Sequence, residues 1–190
     1  MEHPVTAVYD ANILYPAPLR DLFVRIAQTG LVRAKWTDTI HDEWIRNVLK
    51  DNPNLSAERL ARTRSLMNAA VRDCLVPGYE DLIDSLSLPD PDDRHVLAAA
   101  IRAGAEVIVT SNLKDFPAEA LTQFDIEARH PDDFLIELMD LAPDVICAAV
   151  KRQREALRNP PKTAEELLAT LESQGLPQTV ARLRPFVDLL

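Results

Sequence analysis

PDPDDRHVLAAAIRAGAEVIVTSNLKDF, residues 89–116, carries three aspartates at the head of a helix, then a short apolar strand, then a polar turn with a fourth aspartate. Asp90 followed by Pro91 has the chemistry of an N-cap with proline at the first helical position. Asp92 has an equally local explanation, because a carboxylate in the first turn complements the helix dipole. Asp93 is different. Helical spacing puts Val96, Leu97, Ala100 and Ile101 on its side and Arg94, Ala98 and Arg102 on the other, so Asp93 heads the apolar stripe. A carboxylate in that place needs hydrogen bonds, a cation or a proton, since an unpaired buried charge is costly. Gly104 is a helix stop, and Val107-Ile108-Val109 reads as a buried parallel strand ending in Thr110-Ser111-Asn112.

Working outward, residues 5–14 (VTAVYDANIL) predict a first strand with Asp10 near its carboxyl end. Pro16 and Pro18 break it, residues 19–28 have helical periodicity, Gly30 stops that helix, and residues 31–35 form a short second strand. A helix then begins at Thr37 or at Thr39, the latter pairing with Asp42 as a capping-box variant. Ile40, Glu43, Trp44, Asn47 and Val48 share one of its faces, so Glu43 is a second acid embedded in an apolar stripe. Residues 56–71 read as a helix, 74–76 as a brief strand, 79–86 as a short helix, 124–129 as an edge strand and 131–141 as a helix. Beyond Pro143 the pattern is only helical: 144–158, 163–174 with a Thr163/Glu166 capping box, and a segment after Gly175. The chain therefore divides into a domain at 1–141 and a helical extension at 142–190.

Strands alternating with helices predict an α/β fold with a central parallel sheet and helices on both faces, plus C-terminal helices. Such sheets bind ligands at the carboxyl ends of their strands. Asp10, Asn112 and Asp115 follow strands, and Asp93 and Glu43 come from the N-terminal turns of helices, so all five belong on that edge. Like charges gathered there raise one another's pKa unless a cation is present. Oxygen-only ligands select a hard ion, Mg²⁺ or Mn²⁺, which suits phosphodiester hydrolysis. Each acid also has a bland explanation: Asp10 as a strand-end turn residue, Glu43 as a helix residue with a packed stem, Asp115 as the residue before a Phe116-Pro117 turn.

Composition agrees with an enzyme that collects carboxylates. At 190 residues, 47% hydrophobic and 27% charged, the chain is globular. Its N-terminus has no basic or apolar leader and no stretch approaches a membrane span, which places it in the cytoplasm. A net charge of −9 argues against binding of nucleic acid by bulk electrostatics, but not against an enzyme that collects carboxylates around a divalent cation. Cys74 and Cys147 lack CxxC spacing, and His3, His41, His95 and His130 show no zinc pattern. Most basic residues read as solvated helix faces; Arg46, Lys50 and Lys114 are the candidates for holding phosphates. Trp36 and Trp44 read as core.

The order of Asp10 in VYDAN, Glu43 in TDTIHDEW, Asp93 in DPDDRHVLAAAI and the following VTSNLKDF resembles the PIN domain family, particularly the bacterial VapC-like toxins. That resemblance spans roughly residues 5–140. It implies a three-layer α/β/α fold and a metal-dependent endoribonuclease, the toxin of a type II pair with an RNA substrate, a cognate antitoxin protein and a homodimeric state. Asp10, Glu43 and Asp93 would be the catalytic, metal-binding triad, with Asn12, Thr110, Ser111 and Asp90 as polar support. Many members have a fourth acid where this chain has Asn112, and the nearest candidate for that catalytic place is Asp115. One well-held metal is therefore expected. A rival enzyme, an aspartyl-phosphate phosphatase with Asp10 as nucleophile and Thr110 or Ser111 with Lys114 on the phosphate, is disfavoured by the order, because its usual second acid is Asn12 here. The alternative outside enzymes is a catalytically inactive PIN-like module that binds RNA or protein.

Overall fold

Val5–Tyr9 forms β1, and its last three residues are fully buried, as suits a central strand of a parallel sheet. The computed structural model describes residues 4–190, so His3 lies outside the described residues. The strand ends five residues earlier than its β-forming pattern predicts. Asp10 leaves the sheet in extended conformation and its carboxylate accepts from the Ala11 amide, which starts a helical turn, α1 (Ala11–Leu14). The capping chemistry of one aspartate overrides the β-propensity of the residues after it.

Helix α2 (Ala17–Gln28) takes Pro18 into its first turn rather than being delayed by it. Next come β2 (Val32–Lys35) and α3 (Asp38–Asp51). Of the two predicted starts for α3, Thr37 is the cap, with its hydroxyl 3.0 Å from the Ile40 amide; Thr39 instead bonds the Tyr79 hydroxyl. Helix α4 (Ala57–Ala70) is capped by Ser56. The brief strand expected at 74–76 is a single parallel bridge between Trp36 and Leu75, and the helix expected at 79–86 is a 3-10 turn, Glu80–Ser85.

The organising stretch folds as a 3-10 turn, Pro91–Asp93, leading into α5 (Arg94–Ala103) and β3 (Val107–Val109). Asp90 is the cap expected of it, accepting from the Asp92 amide at 2.9 Å. Gly104 ends α5 at φ +58°, a left-handed conformation that glycine adopts without strain. The predicted two-faced stripe is too narrow. Ala98, assigned to the polar side, is as buried as Val96 and Leu97, because α5 packs against both β1 and β3 and against the 3-10 turn at 80–85.

After α6 (Ala118–Leu121), β4 (Glu127–Arg129) closes the sheet. All pairs are parallel and the order is β2-β1-β3-β4, so β4 is an edge, shorter than the predicted 124–129 because Asp125 turns left-handed at φ +56°. Helices α7 (Pro131–Leu141), α8 (Pro143–Ala156), α9 (Ala164–Ser173) and α10 (Pro177–Leu183) follow, with a 3-10 segment, Arg184–Leu189, after them, and the Thr163/Glu166 capping box forms as expected. Their Ile146, Val150, Leu168, Leu171 and Val180 join the same hydrophobic core as β1.

Cys74 and Cys147 are free thiols. No helix among the described residues is long and apolar enough to cross a membrane. Trp36 and Trp44 are fully buried, and their indole N–H groups are paired: Trp44 donates to His41 Nδ1 at 3.0 Å and Trp36 to Asn68 Oδ1 at 2.8 Å. Because Nδ1 accepts, Nε2 of His41 carries the proton and donates to the same Asn68 oxygen, at 2.9 Å. One carbonyl on α4 thus anchors the helix that bears Glu43. Asn68→Leu leaves two donors unpaired and is expected to cost about 2–4 kcal/mol, read as a lowered urea midpoint with an unchanged m-value; an unaltered midpoint would remove Asn68 from this role.

Candidate active site

Strands β1 and β3 are adjacent, parallel and in register at Tyr9 and Val109. The next residue on each, Asp10 and Thr110, therefore emerges from the carboxyl edge side by side. The Thr110 hydroxyl donates to Asp10 Oδ2 at 2.8 Å and the Asn12 amide donates to the same oxygen at 2.7 Å, while the Ala11 N–H takes Oδ1 at 2.7 Å. An ionised carboxylate offers about four acceptor sites, so three are used and one is left for a further partner. Asn12 also donates to the Thr110 hydroxyl at 2.9 Å and accepts from the Ser111 amide at 3.0 Å. Ser111 contributes through its backbone only. The Asn112 amide N–H closes the loop on the Thr110 hydroxyl at 3.0 Å.

Asp93 begins α5 but caps nothing with its side chain; Asp90 does that work, and the Asp93 carboxylate is free to face the cleft. One oxygen each of Asp90, Asp93 and Asp115 lie within 4.8 Å of one another. Asp90, which sequence treats as a cap, is thus a cap and a member of the tightest acidic group. Asp115 is the last residue of the Leu113–Asp115 3-10 turn and is hydrogen-bonded by the Asn112 side chain. Asp10 and Glu43 line the same cleft, of about 530 Å³, without belonging to that closest trio. Among the candidate phosphate-holding residues, Lys50 lines the cleft; Arg46 and Lys114 are exposed outside it.

The charges in the cleft are poorly compensated by the protein. Burial first, then the charges of Asp10, Asp90, Asp115 and Glu43, push the Asp93 pKa up to about 7. Asp10 is raised to about 6, chiefly by burial, with the Thr110 hydroxyl opposing and Glu43 adding. Oxygen donors at this spacing with unneutralised charge fit a hard divalent cation, and nothing in the donor set favours a soft one.

Two contacts in or beside the cleft escape sequence reasoning. His95, on α5, is buried and its Nε2 lies 3.3 Å from Glu43 Oε2, tying the acid of α3 to the helix headed by Asp93. Tyr15 donates to Asp51 Oδ2 at 2.7 Å, and both line the cleft with Asn47. The signal for Asn47, Lys50 and Asp51 is present in the helical spacing from Glu43; contacts of His95 and Tyr15 join distant segments and leave no local trace.

A raised carboxyl pKa has a stability consequence. Between the ordinary value of 3.8 and about 7 the folded state binds the Asp93 proton more tightly than the unfolded state. Its contribution is whole below that window and is lost as pH rises through it. In chelator, wild type is expected to lose more melting temperature between about pH 5 and about pH 8 than Asp93→Asn does, the variant being higher by about 2–4 °C at the upper pH, the shift that roughly 1 kcal/mol produces in a chain of this size. Parallel melting curves for the two proteins would contradict this electrostatic picture.

The geometry has a counterpart among known proteins. A model of the PIN domain matches residues 6–114, and a model described as the VapC50 C-terminal domain matches residues 131–185. A Mycobacterium tuberculosis (strain ATCC 25618 / H37Rv) protein named "Putative ribonuclease VapC50" is 47% identical over 107 residues, which cover 56% of this chain and 62% of that relative. The match thus spans less than two thirds of the relative's length. No solved structure matches. With its strand-end Asp10 and helix-borne Glu43 and Asp93 lining one cleft, and with more than half of its length under the domain model, the chain belongs to the PIN domain family.

Proposed function

We propose that this protein is a metal-dependent endoribonuclease, the toxin of a type II toxin–antitoxin pair acting in the cytoplasm. The observation that carries this is the cleft itself: carboxylates at the end of β1, on α3, at the start of α5 and in the turn after β3 converge, and the pKa values of Asp10 and Asp93 are driven upward by burial first and then by neighbouring charge. The relative named as a ribonuclease supports the choice of RNA. Asp10, Glu43 and Asp93 would hold Mg²⁺ or Mn²⁺, with Asp90 and Asp115 close enough to Asp93 to share the cation or its water shell. Such an ion supplies Lewis acidity at the scissile phosphate and makes water nucleophilic at neutral pH.

The protein's own part is positioning. Asn12 and Thr110 fix Asp10 so that one acceptor site stays open, and His95 steadies Glu43. Asn112 cannot supply charge, but its side chain holds Asp115, which takes the catalytic place of the missing fourth acid. Lys50 at the cleft wall is placed to hold a phosphate beside the scissile one. The extension from 142 onward would serve dimer or antitoxin contacts, a small antitoxin entering the cleft with a basic side chain.

Total RNA is expected to be cut with Mg²⁺ or Mn²⁺ and spared in chelator. Asp93→Asn should lower kcat/KM by at least about 100-fold while unfolding with the same cooperativity. Cleavage by that variant at the wild-type rate would end the proposal. Thr110→Val, which strips one hydrogen bond from Asp10, is expected to weaken Mn²⁺ binding about 10–100-fold, measured calorimetrically; unchanged affinity would separate Asp10 from the metal.

A further inference from the structure

Asp51 lies eight positions beyond Glu43 on α3, roughly 12 Å along the helix axis. The wall of the cleft near Asp51 is therefore well removed from the Glu43 end. Its chemistry differs too. Tyr15 is the one aromatic side chain, and Lys50 the one cation, among the described residues lining the cleft.

Tyr15 is immobilised from both ends. Its hydroxyl donates to Asp51 Oδ2 at 2.7 Å. Its backbone is clamped by Arg20, whose Nη1 donates to the carbonyls of Leu14 and Tyr15 at 2.7 and 3.2 Å while its guanidinium lies over the Trp44 ring at 4.6 Å. Arg20 is thereby spent on scaffold. A half-buried ring held in this way loses little freedom when a flat partner settles on it, and every nucleobase has such a face.

We propose that Tyr15 and Lys50 form a nucleotide subsite beside the acidic group, the ring stacking an unpaired base and the ammonium taking a neighbouring phosphate. This rests on the nuclease reading for placing the scissile phosphate at the carboxylates, and it narrows the substrate to single-stranded RNA, since a paired base is already stacked in its duplex. Asp51 is a positioning residue that sets the ring through its hydroxyl.

The test is a coupling experiment in the full-length chain with Asp93→Asn as parent, in Mg²⁺. Binding is measured by fluorescence anisotropy on a single-stranded RNA of about 12 nucleotides and on derivatives with one abasic position each. One abasic position is expected to weaken binding about 10-fold in the parent and under about 2-fold once Tyr15→Leu is added. Adding Tyr15→Phe, which keeps the ring but frees it from Asp51, should leave an abasic penalty between those two values. Lys50→Ala should weaken every oligonucleotide alike and reduce the salt slope by about 0.7. Equal abasic penalties with and without Tyr15→Leu, or no RNA binding by the parent, would overturn the subsite. Coupling without any wild-type cleavage would instead sink the nuclease reading and leave the subsite standing.

Discussion

The parallel pairing of β1 with β3 is the constraint on which the rest depends. Register at Tyr9 and Val109 makes the following residues neighbours, although they lie 100 positions apart, and the Asp10 to Thr110 hydrogen bond is the direct result. The same pairing demands a crossover, and its last helix, α5, must begin at the edge where β1 ends. Asp93 is carried there by topology, not by any attraction to Asp10. A slip of one residue in the β1–β3 register would turn Asp10 away from Thr110 and dismantle the polar loop through Asn12, Ser111 and Asn112.

Against that geometry stands electrostatic cost. Gathering Asp10, Glu43, Asp90, Asp93 and Asp115 in one cleft leaves the fold carrying repulsion that its packing must absorb, and burial followed by that repulsion raises the pKa values of Asp10 and Asp93. The surroundings meet this in two ways. Asp10 is steadied by hydrogen bonds to its charged form, and Glu43 faces an imidazole. Below them the scaffold is stiff: buried tryptophans with both indoles paired, and Arg20 fixed between two carbonyls and a ring. A rigid apolar base under a crowd of like charges is what holds a site open against its own repulsion.

The C-terminal helices belong to that base. Asp132 of α7 is buried, and its two oxygens accept from the Gln178 and Thr179 amides at the start of α10, so a helix terminus and a buried carboxylate satisfy each other. Gln153 of α8 reaches the Pro18 carbonyl at 2.9 Å, tying the extension to the first turn of α2.

Much of this was legible in the residues, and the legible part has a common character. The Asp90 cap, the Gly104 stop, the Thr163/Glu166 box and the burial of Trp36 and Trp44 follow from chemistry within a few positions along the chain. The candidate acids were visible because Asp93 and Glu43 interrupt apolar stripes. Where local signals competed, they misled: β-forming residues 11–14 became a helical turn because Asp10 capped it, and Ala98 was buried because α5 has neighbours on more than one side. What the residues alone determined is therefore which elements form and which carboxylates are misplaced by ordinary standards, since both depend on short-range sterics and periodicity. Strand order, the Glu43–His95 and Tyr15–Asp51 contacts, and the approach of Asp90 to Asp115 were decided only in three dimensions, because each joins segments whose separation is set by how the sheet closes.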